Sequence, residues 1–342
     1  MEGIDSEANS LFKVKVNIKA CPQTELTELA GLPKPSALIL NSDDYAYVET
    51  LIDQETLNSV FKEGLLKQIG ALNRGVLWVS LWGLVESLKL PASAFVSIVA
   101  ENLLFEDQEE IIDIILGFTS QAVWCYLPQN LVEQYSHLIV ETIKQKLEVR
   151  PSKSLERKVF VFLYSEKDLF WAYEWSKHLG RAEKWRGIMQ MCSVLPLEEV
   201  KEILNFELAF DSSDMSLKFR NYCESAAVDN KEQTWDRILN TQGLSLSNLE
   251  YLMKGFNQMN QKETLLPFSQ KYFEELPRVF SNCEREYAEK FFHLLLPSYL
   301  DPSELIRNLE LLELPQSWMQ RMVVETTEAL KKRKNCQDLV TH

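Results

Sequence analysis

The chain has 342 residues, 46% hydrophobic and 25% charged, with a formal net charge of −14. That is the composition of a globular protein with a full core, so disorder over most of its length is excluded. A surface this acidic repels phosphate backbones and anionic lipid, which argues against nucleic acid or membrane as partners. With only 11 Gly and 12 Pro, the chain is also too poor in turn residues for an all-β fold.

The first 35 residues differ from the rest. Phe12, Val14, Val16, Ile18 and Ala20 alternate with Lys13, Lys15, Asn17 and Lys19, which predicts a strand with one apolar and one basic face. Gly31-Leu32-Pro33-Lys34-Pro35 breaks the chain. A second extended run, Ala37–Leu40, leads into the polar turn Asn41–Tyr45, and Tyr47–Ile52 reads as a further short extended piece.

From Gln54 onward the apolar residues recur at three- and four-residue spacing. The pattern predicts helices over 74–88, 92–104, 107–126, 129–147, 153–163, 168–179, 182–192 and 197–206. After the polar loop around Asp211-Ser212-Ser213-Asp214 the series continues over 215–226, 231–239, 246–256, 261–273, 278–296, 303–312 and 317–334. Asp107 with Glu110 and Ser247 with Glu250 fit the capping box. Asp301-Pro302 sets a cap before a first-turn proline. Lys331-Lys332-Arg333-Lys334 suits a helix C-terminus. Many short helices with short loops predict a mainly α chain, an α-solenoid of antiparallel helix pairs of the HEAT/armadillo kind, after a short N-terminal β segment. No consensus repeats at a fixed period, so the repeats are degenerate.

The lone strand is the informative oddity. A single amphipathic strand can neither bury its apolar face nor satisfy its backbone without neighbours. The expectation is that the rest of its sheet lies upstream in something longer.

The segment Met1–Glu7 has no apolar core of a secretory signal, and the longest apolar stretches, such as Val76–Val85, are too short to span a bilayer. A cytoplasmic location is expected. The cysteines Cys21, Cys125, Cys192, Cys223, Cys283 and Cys336 lie far apart with no C-x-x-C spacing, and read as reduced thiols.

Little catalytic chemistry can be read. His137, His178, His293 and His342 are scattered, and the helical zinc pair H-E-x-x-H is absent, as are G-x-G-x-x-G, the P-loop and G-x-S-x-G. Each histidine reads as an ordinary surface or partly buried side chain. Glu106-Asp107-Gln108-Glu109-Glu110 reads as an acidic first helical turn before it reads as a cation site, and Asp43-Asp44 as part of a locally capped turn. The i,i+4 pairs Trp78/Trp82 and Trp171/Trp175 fit buried helix stripes better than a stacking platform. Arg74 is one turn from Trp78 and placed for a cation–π contact. No catalytic, metal or cofactor residue is assigned, and no residue is assigned to peptide contact.

A resemblance emerges from particular segments. Pro35-Ser36-Ala37-Leu38-Ile39-Leu40-Asn41-Ser42-Asp43-Asp44-Tyr45-Ala46-Tyr47 resembles the linker entering the C-terminal helical domain of zinc aminopeptidases of the aminopeptidase N / puromycin-sensitive class. Arg74-Gly75-Val76-Leu77-Trp78-Val79-Ser80-Leu81-Trp82 resembles an early helix of that domain, especially in its actinomycete-type branch. Pro267-Phe268, Lys271-Tyr272-Phe273, Glu286, Ala288 and Pro297-Ser298-Tyr299 resemble its last third. The resemblance runs from about residue 11 to 333. One departure is specific: where the branch has an acidic residue after the second Trp and a basic one three positions later, this chain has Gly83 and Glu86.

The resemblance implies that the Phe12–Ala20 strand ends a β-sandwich, that 1–40 are strand and linker, 41–335 a helical-repeat domain and 336–342 a tail. It implies a domain that covers the active-site cleft and contacts the body of peptide substrates. Zinc and catalysis would belong to a separate H-E-x-x-H domain. Peptide, or a protein partner such as a catalytic aminopeptidase domain, is the partner implied. The alternative is a stand-alone helical scaffold that binds a protein partner through a concave face.

Overall fold

Short amphipathic helices build most of the chain, as the three- and four-residue spacing predicts. The structure, a computed structural model, describes residues 1–210, 213–240, 243–312, 314 and 316–341. The fold is mainly α with a small N-terminal sheet. The chain divides into two units, Met1–Val161 with Asn335–His342, and Phe162–Lys334.

In the first unit, β1 (Glu2–Ile4) lies between β2 (Ser10–Lys13) and β3 (Ala37–Ile39), antiparallel to both, with Gly3 opposite Phe12 and Leu38. The helices follow: α1 (Gln54–Leu57), which widens into a π-helical turn over Asn58–Lys62, then α2 (Ala71–Glu86), α3 (Ala92–Asn102), α4 (Glu109–Gln121), α5 (Gln129–Val149) and α6 (Lys153–Lys158). Alternate helices stack, α2 on α4, α3 on α5 and α4 on α6. The tryptophan stripe of α2 is core, as expected. Trp78 is fully buried edge-on to Phe61 and Phe95, and Trp82 stacks on Phe118 and Tyr126 at 5.0 and 5.7 Å. Each such pair adds about 0.5–1.5 kcal/mol beyond the area it buries.

The second unit holds α7 (Glu166–Ser176), α8 (Arg181–Met191), α9 (Leu197–Leu208), α10 (Asp214–Ala226), α11 (Lys231–Leu239), α12 (Leu246–Phe256), α13 (Lys262–Asn282), α14 (Arg285–Leu295), α15 (Pro302–Glu310) and the start of α16 (Ser317–Thr341). Here α8, α10, α12 and α14 contact one another in succession. The closest approach is α10 on α12, and a glycine makes it possible. A Cβ on Gly255 would stand 2.1 Å from both the Tyr222 carbonyl oxygen and Ser225 Oγ. Trp235, Phe256, Phe268, Tyr272 and Phe291 form the aromatic centre of this unit's larger core.

Several sequence expectations change. The strand over 12–20 shortens to Ser10–Lys13, and its neighbour β1 lies within the same chain. Tyr47–Ile52 forms no strand. The capping box at Asp107 is absent: α4 starts at Glu109 with Gln108 at its cap position, and the Asp107 carboxylate accepts from Arg74 and Gln108 Nε2. The cap of α12 is Ser245, not Ser247. The two helices expected over 261–273 and 278–296 are divided instead after Asn282. Pro277 removes one backbone donor from α13, but Tyr272, Leu276, Val279 and Phe280 carry one buried stripe across it. Finally, α16 runs seven residues beyond Lys334 to Thr341, so the basic run is inside a helix and not at its end. The Asp301 cap with Pro302 behind it appears as predicted. Residues 211–212 of the predicted polar loop, and His342, lie outside the described residues.

Candidate interaction surface

The sheet has an open side. Its order is β2-β1-β3, and among the described residues no strand lies outside β2. The ladder-like pairing ends where Val14 N donates to Met1 O at 2.9 Å. From there to Lys19 the chain has no regular structure, and Ile18 is 66% exposed. An uncovered edge of this kind presents backbone N–H and C=O groups to another strand, and natural proteins normally cover or block it.

The basic face predicted for this segment has local partners. Lys13 pairs with Asp43 and stands 3.7 Å from Glu2, and Lys15 donates to Tyr45 Oη at 3.2 Å. The hydrogen bond to Asp43 raises the Lys13 ammonium above its ordinary pKa. Burial pushes the Glu2 carboxyl up, but hydrogen bonds from Ser42 and Ser10 and the charge of Lys13 outweigh it, leaving the group below the ordinary carboxylate value. Glu2 also accepts from Asn73 Nδ2 at 3.2 Å, which ties the central strand to α2.

The adjoining loop is held rigid. Asn41 donates to Ala46 O (2.9 Å) and Asp44 Oδ1 (3.1 Å) and accepts from Ala46 N (3.0 Å). Asp43 and Asp44 take left-handed backbone, φ 61° and 50°, a conformation short polar side chains tolerate. Both carboxylates are engaged by the chain itself, Asp43 by Lys13 and Asp44 by Asn41. The fixed loop leaves Tyr45, Tyr47 and Val48 largely in solvent. The surface thus offers main-chain hydrogen bonding, ion pairing and a few apolar side chains.

Other residues singled out in the sequence lie elsewhere. His137 is half-buried on α5, while His178, just after α7, and His293 on α14 are exposed. Trp171 and Trp175 stack on each other at 5.2 Å and are half-buried, unlike the fully enclosed Trp78. Arg74 makes no cation–π contact with Trp78. It donates to Glu106 through Nε (2.9 Å) and Nη2 (2.7 Å), to Asp107 (3.1 Å) and to Ile69 O (2.9 Å). Glu106 is therefore a buried ion-pair partner ahead of α4. It also accepts from the backbone N–H groups of Asp107 and Gln108.

Gly83 has a structural reason. A Cβ there would come 2.9 Å from Leu51 Cδ2 and 3.4 Å from Thr50 O, so the segment before α1 lies directly on α2 where the resembling branch carries an acidic side chain. Glu86, the second departure, accepts from Tyr126 Oη at 3.3 Å. Sequence reasoning missed β1, too short to show a period, and Asn73, whose polar side chain on α2 gives no sign of its partners.

No family model matches the chain. It is similar to Aminopeptidase N of Streptomyces lividans, 21% identical over 300 residues, which is 80% of this chain and 34% of that protein. The chain is thus distantly related to aminopeptidase N and spans about a third of that relative's length. Among the described residues no helix is long and apolar enough to cross a membrane.

Proposed function

We propose that this chain is a non-catalytic helical part of an aminopeptidase-related protein. In this reading residues 1–40 complete a β-sandwich, and 41–335 form a helical-repeat array that covers the cleft of a zinc-bearing catalytic domain and touches the body of its peptide substrates. The observation that carries the reading is the open edge of β2, beside a linker and first helices that resemble the aminopeptidase pattern. An added strand would extend the sheet by β-augmentation. Zinc would be held by the other domain, where a metal-activated water and a glutamate would do the hydrolysis. The location proposed is cytoplasmic, with neither nucleic acid nor membrane as partner.

A second reading has its own support. The strand expected to lack neighbours pairs with β1, and β1 is anchored to α2 through Glu2 and Asn73. A sheet satisfied this far by its own chain also suits a free-standing helical scaffold that binds a protein partner.

The test is direct. The purified chain is assayed for release of a fluorogenic amine from aminoacyl substrates, and its metal content is measured on the same sample. The expected result is no turnover and no stoichiometric zinc. Chelator-sensitive turnover with one zinc per chain would overturn the non-catalytic reading.

A further inference from the structure

The first unit contains a groove of about 810 Å³. Ala94, Ile98 and Glu101 lie along one face of α3 at four- and three-residue spacing, so the groove follows that helix for about 10 Å, at ~1.5 Å per residue. Leu90 and Lys89 extend it past the first turn, and Leu57 and Leu84 complete an apolar floor. A volume of this size falls within the range of ligand pockets, about 300–1,000 Å³.

Charge distinguishes the two ends. At one end, Asn102 Nδ2 donates to Phe61 O at 3.1 Å, which brings the C-terminus of α3 beside the turn bearing Lys62. Lys62 and Glu101 therefore both lie toward that end, which carries one charge of each sign. Asp53, on the side wall, is committed to capping α1, accepting from Thr56 N and Oγ1 at 2.9 Å each. Lys89 stands alone at the other end. Among the described residues its side chain has no ion pair or hydrogen bond, although it is exposed on a protein with fourteen excess negative charges.

The turn that places Lys89 there is strained. Leu88 has φ 59°, a left-handed conformation that costs a side chain of this kind about 1–2 kcal/mol and that glycine adopts freely. The turn is closed by Lys89 N donating to Leu84 O at 2.8 Å and Leu88 N to Val85 O at 3.1 Å, the double closure often seen at helix ends.

We propose that this groove binds a short extended peptide of about four to five residues at ~3.3 Å each. Its aliphatic side chains lie on Leu57, Leu84 and Ile98, and one carboxylate pairs with Lys89. The carboxylate comes from an acidic side chain or from a peptide end, and both present the same group. The inference rests on the proposed function only in expecting a peptide.

The experiment uses the full chain and fluorescein-labelled pentapeptides of leucine and alanine ending in glutamate or glutamine, each as free acid and as C-terminal amide, read by fluorescence anisotropy. At least one acid-bearing peptide is expected to bind about tenfold more tightly than the glutamine amide, and the pattern over the four shows which carboxylate is read. Lys89→Gln should remove that advantage and leave the glutamine amide unchanged. Ala94→Trp, which fills the groove, should abolish binding of all four, with circular dichroism verifying the fold of both variants. Equal binding of acid and neutral peptides, an unaltered preference in Lys89→Gln, or no binding at all would overturn the proposal. None of those results bears on zinc content or turnover, so the groove and the proposed function fail separately.

Discussion

Among the described residues each unit buries one lysine at a helix junction, and the two junctions are closed by different means. In the first unit, Lys146 of α5 donates to Leu104 O at 3.1 Å and to Glu106 O. Burial lowers its pKa, while Glu106, Asp107 and Glu109 nearby oppose that shift. The same turn holds the Arg74–Glu106 pair. In the second unit, Lys231 donates to three carbonyls, Ser225 O (2.9 Å), Ala226 O (3.2 Å) and Phe256 O (3.0 Å), and gathers the C-terminal ends of α10 and α12. Its pKa is pushed down by burial alone. One junction is a charge network, in which losing a single partner should leave a buried charge poorly compensated. The other is a set of helix-end carbonyls collected by one donor, and its cost should scale with the number left unsatisfied.

The sharpest way to break this contrast is Arg74→Met. It leaves the buried Glu106 carboxylate without its cation and should cost about 3–5 kcal/mol, measured by urea unfolding followed by the fluorescence of the Trp78/Trp82 core. The double variant with Glu106→Met should recover most of the loss, because the carboxylate left without Arg74 is then gone. A double variant as unstable as the single one would show that the network acts by shape and not by charge.

Lys231→Met is next. It orphans three carbonyls at ~1 kcal/mol each, or about 3 kcal/mol in all. It also carries a pH signature. The folded-state pKa of Lys231 is below its unfolded value of about 10.4, so the unfolded chain holds more protons between the two, and stability from this group rises with pH across that interval. Wild type should therefore gain on the variant as the pH rises toward the unfolded value of about 10.4. A constant difference in thermal midpoint would argue against a buried ammonium with a lowered pKa.

The smallest of these effects is at the α10–α12 contact. Gly255→Ala forces a methyl against the Tyr222 carbonyl and should cost about 2 kcal/mol. Gly187→Ala on α8 meets a side chain, Ser176 Oγ at 2.1 Å, as well as the Ala172 carbonyl at 3.3 Å. Ser176 can shift where backbone cannot, so this change should cost less. Equal losses in the two variants would mean that α10 and α12 can move apart.

Much of the helical order was legible because amphipathic spacing is local. The bounds of α11 and α12 match the predicted ones, Lys231–Leu239 and Leu246–Phe256, and the Trp78/Trp82 stripe is core. What escaped depends on distant partners. Alternation marks which side chains of 12–20 share a face, but pairing requires backbone groups opposite, and β1 supplies them only as far as Lys13. At the start of α4, the Asp107 carboxylate expected to cap the helix is instead engaged by a side chain thirty-three residues earlier. Pro277 signals a break, yet the buried stripe of α13 continues through it. The open sheet edge was foreshadowed by the lone strand. The groove was not, since Leu57, Leu84 and Ile98 lie in separate helices and only the fold brings them together.

The last helix has a consequence for the order of folding. Residues from Asn335 onward belong to the first unit, where Gln337 Nε2 donates to Leu127 O at 3.0 Å and Cys336 is 2% exposed. In polymer terms, residues 162–334 form a loop whose two ends are both fixed by the first unit. Closing a loop costs entropy that grows with the logarithm of its length, and structure formed inside the loop shortens the effective span. During synthesis from the N-terminus, the first unit remains without its final contacts until the last helix has emerged.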